Sequence, residues 1–190
     1  MRIIAGTARG RRLVAPKGMR VRPTADRVKE ALFNILASEA GSPDGWRVLD
    51  LCAGTGNLGI ECLSRGAAAA VFVDSSRESA AVVRKNLELT GFAALSRIVV
   101  QDALSALKSM EGRERPFDLV LIDPPYEREI LPPLLERLGA SSLLTEDATV
   151  VAELSARETL EERYGRLQLT GIRTYGDTLL AFFAATQTTR

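Results

Sequence analysis

The 190-residue sequence contains no histidine, only two cysteines and few aromatic side chains. Without histidine, a Ser-His or Cys-His nucleophile cannot be assembled, and most transition-metal sites lose their commonest ligand. Cys52 and Cys62 belong to no Cys-x-x-Cys pair and to no zinc pattern. We therefore expect no metal, and a chemistry that rests on carboxylates, backbone groups, aromatic rings or a cofactor.

Long apolar runs are also missing. No stretch approaches the length of a membrane span, and residues 1–12 lack the apolar core of a signal peptide. The apolar and charged contents, 46% and 26%, are ordinary for a soluble globular protein. We expect a cytoplasmic monomer with one well-buried core and no contact with a membrane.

The net charge of +1 conceals an uneven distribution. Residues 1–29 hold nine of the 25 basic residues but only one of the 24 acidic residues, Asp26. Clustered basic side chains are typical of nucleic-acid-binding surfaces, and the planar guanidinium group matches phosphate oxygens. We predict contact with RNA; the alternative is a solvated charged edge that only discourages aggregation. The candidate RNA-binding residues are Arg9, Arg11, Arg12, Lys17, Arg20, Arg22 and Arg27.

The chain divides into a basic arm, residues 1–22, and a body, residues 23–190. Short apolar pairs mixed with glycine and proline predict a hairpin or an extended segment for the arm. A helix is predicted from Pro23, with Arg27 and Lys29 outside its apolar stripe, where they could extend the basic surface; the alternative is that they are only solvated. The stripe consists of Val28, Ala31, Leu32, Ile35 and Leu36.

The body alternates between strand and helix patterns. Strands are predicted at 48–51, 67–73, 98–100, 117–122 and 150–154, and helices at 58–64, 78–90 and 131–138. Residues 167–175 and 178–184 are predicted to form an antiparallel hairpin that closes the sheet edge. This alternation predicts an α/β fold with a mostly parallel, doubly wound sheet and a ligand at the carboxyl ends of the strands.

A glycine-rich turn, Gly54-x-Gly56-x-x-Gly59, follows the first strand of the body. Such a turn allows a nucleotide to approach the backbone closely, but the pattern also fits NAD-dependent oxidoreductases. A carboxylate at Asp50 would repel a pyrophosphate and attract the cationic amino-acid end of S-adenosylmethionine (SAM), which favours SAM over NAD. The alternative is a structural glycine turn that Asp50 only caps.

Two more acids end the next two predicted strands. Asp74 is placed to accept both ribose hydroxyls of a nucleoside, and Asp102 to accept a hydrogen bond from an adenine amino group. The alternative for each is a helix cap, made by Asp74-Ser75 in one case and by Asp102 in the other.

The tetrapeptide Asp123-Pro124-Pro125-Tyr126 follows the strand at 117–122. Two prolines cannot extend a central strand, so they force a rigid turn that lacks amide donors. The Asp123 carboxylate and the Pro124 carbonyl would bind the two hydrogens of an exocyclic amino group and direct its lone pair at an electrophilic methyl group. Tyr126 would stack on the base. The alternative is a strand-ending turn with a surface tyrosine.

Together these motifs resemble the Rossmann-like SAM-dependent methyltransferases that act on exocyclic amino groups. More narrowly, the arm Ile-Ile-Ala-Gly-Thr-Ala-Arg-Gly-Arg-Arg-Leu and the segment Arg-Pro-Thr-Ala-Asp-Arg-Val-Lys-Glu-Ala-Leu-Phe-Asn (residues 3–13 and 22–34) resemble the RsmD family. That family methylates a guanine N2 of bacterial 16S ribosomal RNA. The resemblance implies SAM as cofactor and 16S rRNA, within a small-subunit particle, as partner.

The resemblance also implies roles for individual residues. Asp123, Pro124, Pro125 and Tyr126 would hold the target guanine. The family often has glutamate where this chain has Asp74. The implied cofactor-binding residues are Asp50, Ala53, Gly54, Gly56, Asn57, Leu58, Asp74, Ser75, Asp102 and Ala103.

Two other functions stay open. An adenine-N6 methyltransferase could use the same tetrapeptide, although this compact chain leaves no residues for a DNA-reading domain. A non-catalytic RNA-binding assembly factor could retain a nucleotide-shaped cleft without using it.

Overall fold

The computed structural model describes residues 1–15, 23–124 and 130–186. Five candidate site residues lie outside the described residues: Lys17, Arg20, Arg22, Pro125 and Tyr126.

The described chain forms one eight-stranded sheet with helices on both faces. The helices are α1 (Pro23–Glu39), α2 (Asn57–Ser64), α3 (Arg77–Thr90), α4 (Ala103–Met110) and α5 (Leu131–Gly139), and a short 3-10 turn spans Ala93–Leu95. The strands are β1 (Arg47–Leu51), β2 (Ala69–Asp74), β3 (Ser96–Val100), β4 (Phe117–Ile122), β5 (Leu144–Ser155), β6 (Arg163–Tyr164), β7 (Leu167–Tyr175) and β8 (Thr178–Ala185).

The strand order is β3-β2-β1-β4-β5-β8-β7-β6. Strands β1 to β5 pair in parallel, whereas β8, β7 and β6 pair antiparallel. The predicted α/β fold with a mostly parallel sheet and a C-terminal hairpin is therefore confirmed. In such a sheet the carboxyl ends of neighbouring parallel strands meet along one edge, where ligands bind.

Several strand predictions differ from the structure, and β3, for example, begins at Ser96 rather than at residue 98. β2 begins at Ala69 rather than at residue 67, and β5 begins at Leu144 rather than at residue 150, across a register shift against β4. The predicted hairpin of β7 and β8 continues the sheet beyond β5 through the pairing of β8 with β5, but the short strand β6, which was not predicted, lies outermost. A strand of two residues is too short to produce a detectable alternation.

Alternating side chains of the central strands build two apolar layers. Leu49 and Leu51 of β1 face the layer that contains residues of α4 and α5. Val48 faces the opposite layer, which contains residues of α1, α2 and α3. Asp50, two residues from Val48, shares this second face because side chains alternate along a strand.

Residues 1–15, here called the N-terminal segment, form the predicted hairpin and pack on this second face. A backbone bridge joins Arg2 and Arg12. Ile3, Ala8 and Leu13 are buried in the same apolar layer as α1 to α3. The described part of the segment thus shares the core of the body, and the predicted boundary after residue 22 falls outside the described residues.

A buried carboxylate, Glu61 of α2, anchors the N-terminal segment. Its two oxygens accept hydrogen bonds from the backbone amides of Ile4 (2.9 Å) and Ala5 (3.0 Å). They also pair with Lys29 Nζ at 3.0 Å and with Arg65 Nε at 2.9 Å. The carboxylate is 0% exposed, so each of these four contacts replaces water that it would otherwise bind.

The burial of Lys29 differs from the sequence-based prediction. We expected it to extend the basic surface, but the side chain is 2% exposed and donates to the Arg2 carbonyl (2.6 Å) and to Asn57 Oδ1 (2.7 Å) as well as pairing with Glu61. Desolvation lowers the pKa of Lys29, and the nearby Glu61 opposes that shift. The ammonium group therefore belongs to the interior and not to an RNA-binding surface.

Replacing Lys29 by methionine should destabilise the protein by about 3–5 kcal/mol, because it removes one of the two cations that pair with the buried Glu61 carboxylate. The matched control is the substitution Arg27→Met, because Arg27 is an exposed cation two residues away on the same helix. This control should change the free energy of unfolding by less than about 0.5 kcal/mol. Urea unfolding measures both. Equal stabilities of the two variants would contradict a structural role for the buried pair.

Candidate cofactor and substrate site

The glycine-rich loop begins directly after β1. Cys52, with φ of 60°, is the one non-glycine residue with a positive φ in the described part of the chain, and it turns the backbone out of the sheet. The Ala53 amide then donates to the Val73 carbonyl at 2.9 Å. Gly54 follows with φ of +56°, and a Cβ atom there would meet nothing within 4 Å. This side of the loop faces open space in which a ligand can lie.

Asp50 holds the far end of the same loop. Its Oδ2 atom accepts a hydrogen bond of 2.8 Å from the amide of Gly59, in the first turn of α2. A Cβ atom on Gly59 would lie 2.4 Å from a Phe72 ring carbon and 2.9 Å from Asp50 Oδ2, so only glycine permits this close approach. Burial of the carboxyl group, aided by the charge of Asp74, raises the pKa of Asp50 to about 7.

Asp74 lies at the end of β2, beside the loop. Its oxygens accept hydrogen bonds of 2.8 Å from the amides of Gly54 and Ser76. Each carboxylate oxygen can accept a second bond, so the group can still receive ribose hydroxyls. The suggestion that Ser75 takes part in a helix cap is wrong: Ser76 is the N-cap of α3 and accepts from the Ser79 amide at 3.2 Å. Ser75 is exposed beside Asp74.

Asp102 and Ala103 lie at the start of α4, after β3. Asp102 is the N-cap, and its Oδ1 atom accepts from the Ser105 amide at 2.9 Å. That hydrogen bond is the main reason why the pKa of Asp102 is lowered. The capping role is therefore confirmed, and the contact with an adenine amino group stays a prediction.

Asp123 lies at the end of β4, followed by the buried Pro124. Asp123 is exposed at the surface, but the protein around its carboxyl group restricts hydration. This desolvation raises the pKa of Asp123, and the charges of Glu153 and Asp50 raise it further. Ala152 of β5 is paired with Ile122, so Asp123 and Glu153 are the next residues along two adjacent strands.

The Cys52 thiol is enclosed among three of these acids. Burial, followed by the charges of Asp74, Asp50 and Asp123, raises the pKa of Cys52 to about 12. The thiol thus stays protonated at neutral pH and is a poor nucleophile. The parallel pairing of β1 with β2 on one side and with β4 on the other brings the acids near the ends of these three strands, Asp50, Asp74 and Asp123, into one region.

Two residues that support this site, Asn86 and Lys29, were not predicted there, whereas Asn57 and Leu58 were. Asn86 of α3 is fully buried and donates to the Thr55 carbonyl within the loop at 2.9 Å. Lys29 holds Asn57 from α1, as described above, and the neighbouring Leu58 is half-buried. Sequence offers no periodic signal for these contacts, because they join residues 28 and 31 positions apart.

Four of the candidate RNA-binding residues are described, and all four are exposed: Arg9, Arg11, Arg12 and Arg27. Arg11 also donates from its guanidinium group to the Leu89 carbonyl of α3, so it helps to hold the N-terminal segment in place.

Within residues 1–15, 23–124 and 130–186, no helix combines the length and the apolar character that crossing a membrane requires. The same ranges contain no group of three or more histidine, cysteine, aspartate or glutamate residues arranged to hold a metal ion.

Solved structures place this architecture in the class of Rossmann-like methyltransferase folds. A candidate methyltransferase of Escherichia coli, yhhF, superposes with a TM-score of 0.82 at 32% identity over 99% of both chains. A candidate methylase of Haemophilus influenzae, HI0767, superposes with a TM-score of 0.80 at 28% identity over 98% of both chains.

The chain belongs to the family described as Conserved hypothetical protein 95, the RsmD family, whose model matches residues 1–184. A Bacillus subtilis protein named as a candidate rRNA methyltransferase, YlbH, is 39% identical over 96% of this chain and 98% of its own length. The Ribosomal RNA small subunit methyltransferase D of Escherichia coli strain K12 is 37% identical over 80% of this chain and 74% of its own. The predicted family is thereby confirmed.

The raised pKa of Asp50 predicts a specific pH dependence of stability. The native carboxyl group keeps its proton up to about pH 7, whereas the unfolded chain loses it near 3.8. Between these values the native state binds more protons, so this group lowers the free energy of unfolding as pH rises. Asp50→Asn should remove that decline, whose size is about 1.4 kcal/mol for each unit of pKa shift.

Urea unfolding of both proteins at pH 5 and pH 8 measures the difference. We expect the wild type to lose more stability than Asp50→Asn on going from pH 5 to pH 8. Parallel pH profiles would show that Asp50 ionises in the native state as it does in the unfolded chain.

Proposed function

We propose that this protein is a SAM-dependent methyltransferase that modifies the exocyclic N2 of a guanine in the 16S rRNA of the small ribosomal subunit. One observation carries the proposal: Asp50, Asp74 and Asp123 meet at the carboxyl ends of adjacent parallel strands, in a chain related to ribosomal RNA methyltransferases. The convergence supplies a cofactor cleft and an acceptor for an amino group side by side.

The residues around the glycine-rich loop fit SAM. None of the ion pairs among the described residues includes Asp50, Asp74 or Asp123. An enclosed region with several carboxylates favours a cationic ligand, and SAM brings a sulfonium and an ammonium group. Asp50 and the loop from Gly54 to Leu58 would hold its amino-acid end, and Asp74 its ribose.

Asp123 and Pro124 would hold the target amino group. SAM supplies an electrophilic methyl group on sulfur. The Asp123 carboxylate accepts one hydrogen of the amino group and the Pro124 carbonyl the other, which directs the nitrogen lone pair towards the cofactor cleft. The nitrogen loses a proton when it gains the methyl group, and a carboxylate with a raised pKa is suited to accept that proton. Stacking of Tyr126 on the base stays a prediction.

No covalent enzyme intermediate is part of this proposal. The enclosed Cys52 thiol is protonated at neutral pH, so direct transfer between bound groups is the simpler route. Most of the acceleration would then come from placing the amino group in line with the methyl group and from fixed dipoles around it.

The exposed arginines of the N-terminal segment and of α1 would bind RNA phosphates. The proposal includes a small-subunit particle as the partner, a monomeric enzyme and a cytoplasmic location, where ribosomal subunits assemble. The relatives named as small-subunit rRNA methyltransferases support the RNA class, and the specificity for guanine N2 rests on the Asp-Pro-Pro-Tyr sequence and the family resemblance.

The deciding experiment is transfer of a labelled methyl group from SAM to 16S rRNA, offered both as free RNA and in protein-loaded particles. Mass analysis of the nucleosides should find N2-methylguanine. Methyladenine would support an adenine-N6 methyltransferase instead, and binding of RNA without transfer to either substrate would support an assembly factor.

Replacing Asp123 by alanine should nearly abolish methyl transfer while SAM affinity stays within a few-fold of the wild type. The reason is that Asp123 contacts the amino group and the cofactor is held from β1 and β2. Single-turnover transfer and calorimetric titration with SAM measure the two effects separately.

The control for this experiment is the substitution Asp147→Ala. Asp147 is an exposed acid in the amino-terminal half of β5, away from the carboxyl ends of the parallel strands. It should transfer methyl groups at the wild-type rate. Near-normal turnover by Asp123→Ala would refute the role given to the carboxylate.

Replacing Arg9 and Arg12 by glutamine should weaken RNA binding and make it less sensitive to salt. Each lost phosphate contact should change the slope of log K against log salt by about 0.7–0.9. Arg11 is left unchanged because its guanidinium group also contacts Leu89. A filter-binding series in increasing salt measures the slope.

The matched control is the pair Arg113→Gln and Arg115→Gln, two exposed arginines in the loop that enters the amino end of β4. This variant should retain the wild-type slope. If the Arg9 and Arg12 variant retains it as well, these arginines serve solubility rather than RNA binding.

A further inference from the structure

Asn86 joins the N-terminal segment to the glycine-rich loop with a single buried amide. Its Oδ1 atom accepts from the Val14 amide at 2.7 Å, and its Nδ2 atom donates to the Val14 carbonyl at 3.0 Å. The same Nδ2 atom donates to the Thr55 carbonyl at 2.9 Å. One side chain on α3 thus binds the amide and the carbonyl of Val14 in the segment and the Thr55 carbonyl in the loop.

A second polar contact joins the same two parts of the chain on the other side. Lys29 donates to the Arg2 carbonyl at 2.6 Å and to Asn57 Oδ1 at 2.7 Å. The Thr55 hydroxyl also lies 3.3 Å from the Met1 sulfur. The loop from Thr55 to Asn57 is therefore joined to the N-terminal segment by this direct contact and by two side chains, Asn86 and Lys29, that bridge the two.

The chemistry of Asn86 is specific to this arrangement. The side chain is 0% exposed, so a group left without a partner there would lose its hydration without compensation. Aspartate has the same shape but cannot donate to the two carbonyls, and it would bring a negative charge against them. The substitution Asn86→Asp therefore removes the two hydrogen bonds to the Val14 and Thr55 carbonyls while preserving the packing volume.

We propose that Asn86 is a positioning residue through which SAM binding and docking of the N-terminal segment are coupled. A ligand that fixes the loop also fixes the Thr55 carbonyl, and this stabilises the Asn86 rotamer that holds Val14. By thermodynamic reciprocity, a partner that fixes the segment must strengthen binding in the loop by the same factor. If the segment binds RNA, as the proposed function states, SAM and RNA bind cooperatively.

The first test uses hydrogen exchange without RNA, and S-adenosylhomocysteine (SAH) as a ligand that cannot be turned over. At saturating SAH, exchange of the segment amides held by side chains, Ile4, Ala5, Ala8 and Val14, should slow at least about fivefold in the wild type, the lower end of typical coupling factors. In Asn86→Asp, with SAH saturation verified by calorimetry, the same amides should change by less than about twofold.

Thr90→Val is the matched control on the same helix. Thr90 is also buried, but its hydroxyl contacts only the Asn86 and Leu87 carbonyls within α3. This variant should keep the full SAH-dependent protection, which separates a specific coupling from a general loss of stability. If Asn86→Asp does not fold, the wild type still decides: no SAH-dependent protection of residues 3–15 overturns the inference.

The second test adds RNA. The dissociation constant of SAH should fall about fivefold or more when the wild type is saturated with a small-subunit particle, and should be nearly unchanged in Asn86→Asp. Coupling of equal size in the two proteins overturns the role of Asn86. A wild type that binds no RNA refutes the proposed function alone, because the hydrogen-exchange result does not depend on RNA.

Discussion

The position of the glycine-rich loop depends on one buried carboxylate, Glu61. It holds two backbone amides of the N-terminal segment, the ammonium group of Lys29 and the guanidinium group of Arg65. Because Glu61 lies on the first turns of α2, these contacts fix the helix that follows the glycine-rich loop against both the segment and α1. A buried ion pair contributes little net stability, but it permits few alternative arrangements, and here that restriction determines where the loop lies.

The ends of the parallel strands then account for the chemistry. Adjacent strands place Asp50, Asp74 and Asp123 in one region, where desolvation and the charges of neighbouring acids, including Glu153 beside Asp123, raise the pKa of both Asp50 and Asp123. Such a site stores unfavourable electrostatic energy in the absence of a cation. A sulfonium donor and an amino group that gives up a proton would each relieve it, so the raised pKa values of these acids and the proposed activity have the same physical origin.

Local patterns predicted the parts of the molecule that local physics determines. The glycine turn, the apolar stripe of α1 and the end of β4 before Asp123 and Pro124 all follow from backbone geometry and helical spacing. The burial of Lys29, Glu61 and Asn86 could not be read in this way, since their partners are distant in sequence and charge usually indicates exposure. The N-cap of α3 was assigned to Ser75 instead of Ser76. These are neighbouring serines, and the sequence does not indicate which of them adopts the N-cap conformation in the folded loop.

The central claim is that a methyl donor and a purine amino group share the cleft between β1 and β4. A crystal structure with SAH and a guanine-containing RNA fragment tests it most directly. The account predicts the amino-acid end of SAH beside Asp50 and Gly54, and the guanine N2 within hydrogen-bonding distance of Asp123 on the side facing the sulfur. A cofactor bound elsewhere, or a sulfur atom separated from the Asp123 carboxylate by protein, would contradict it.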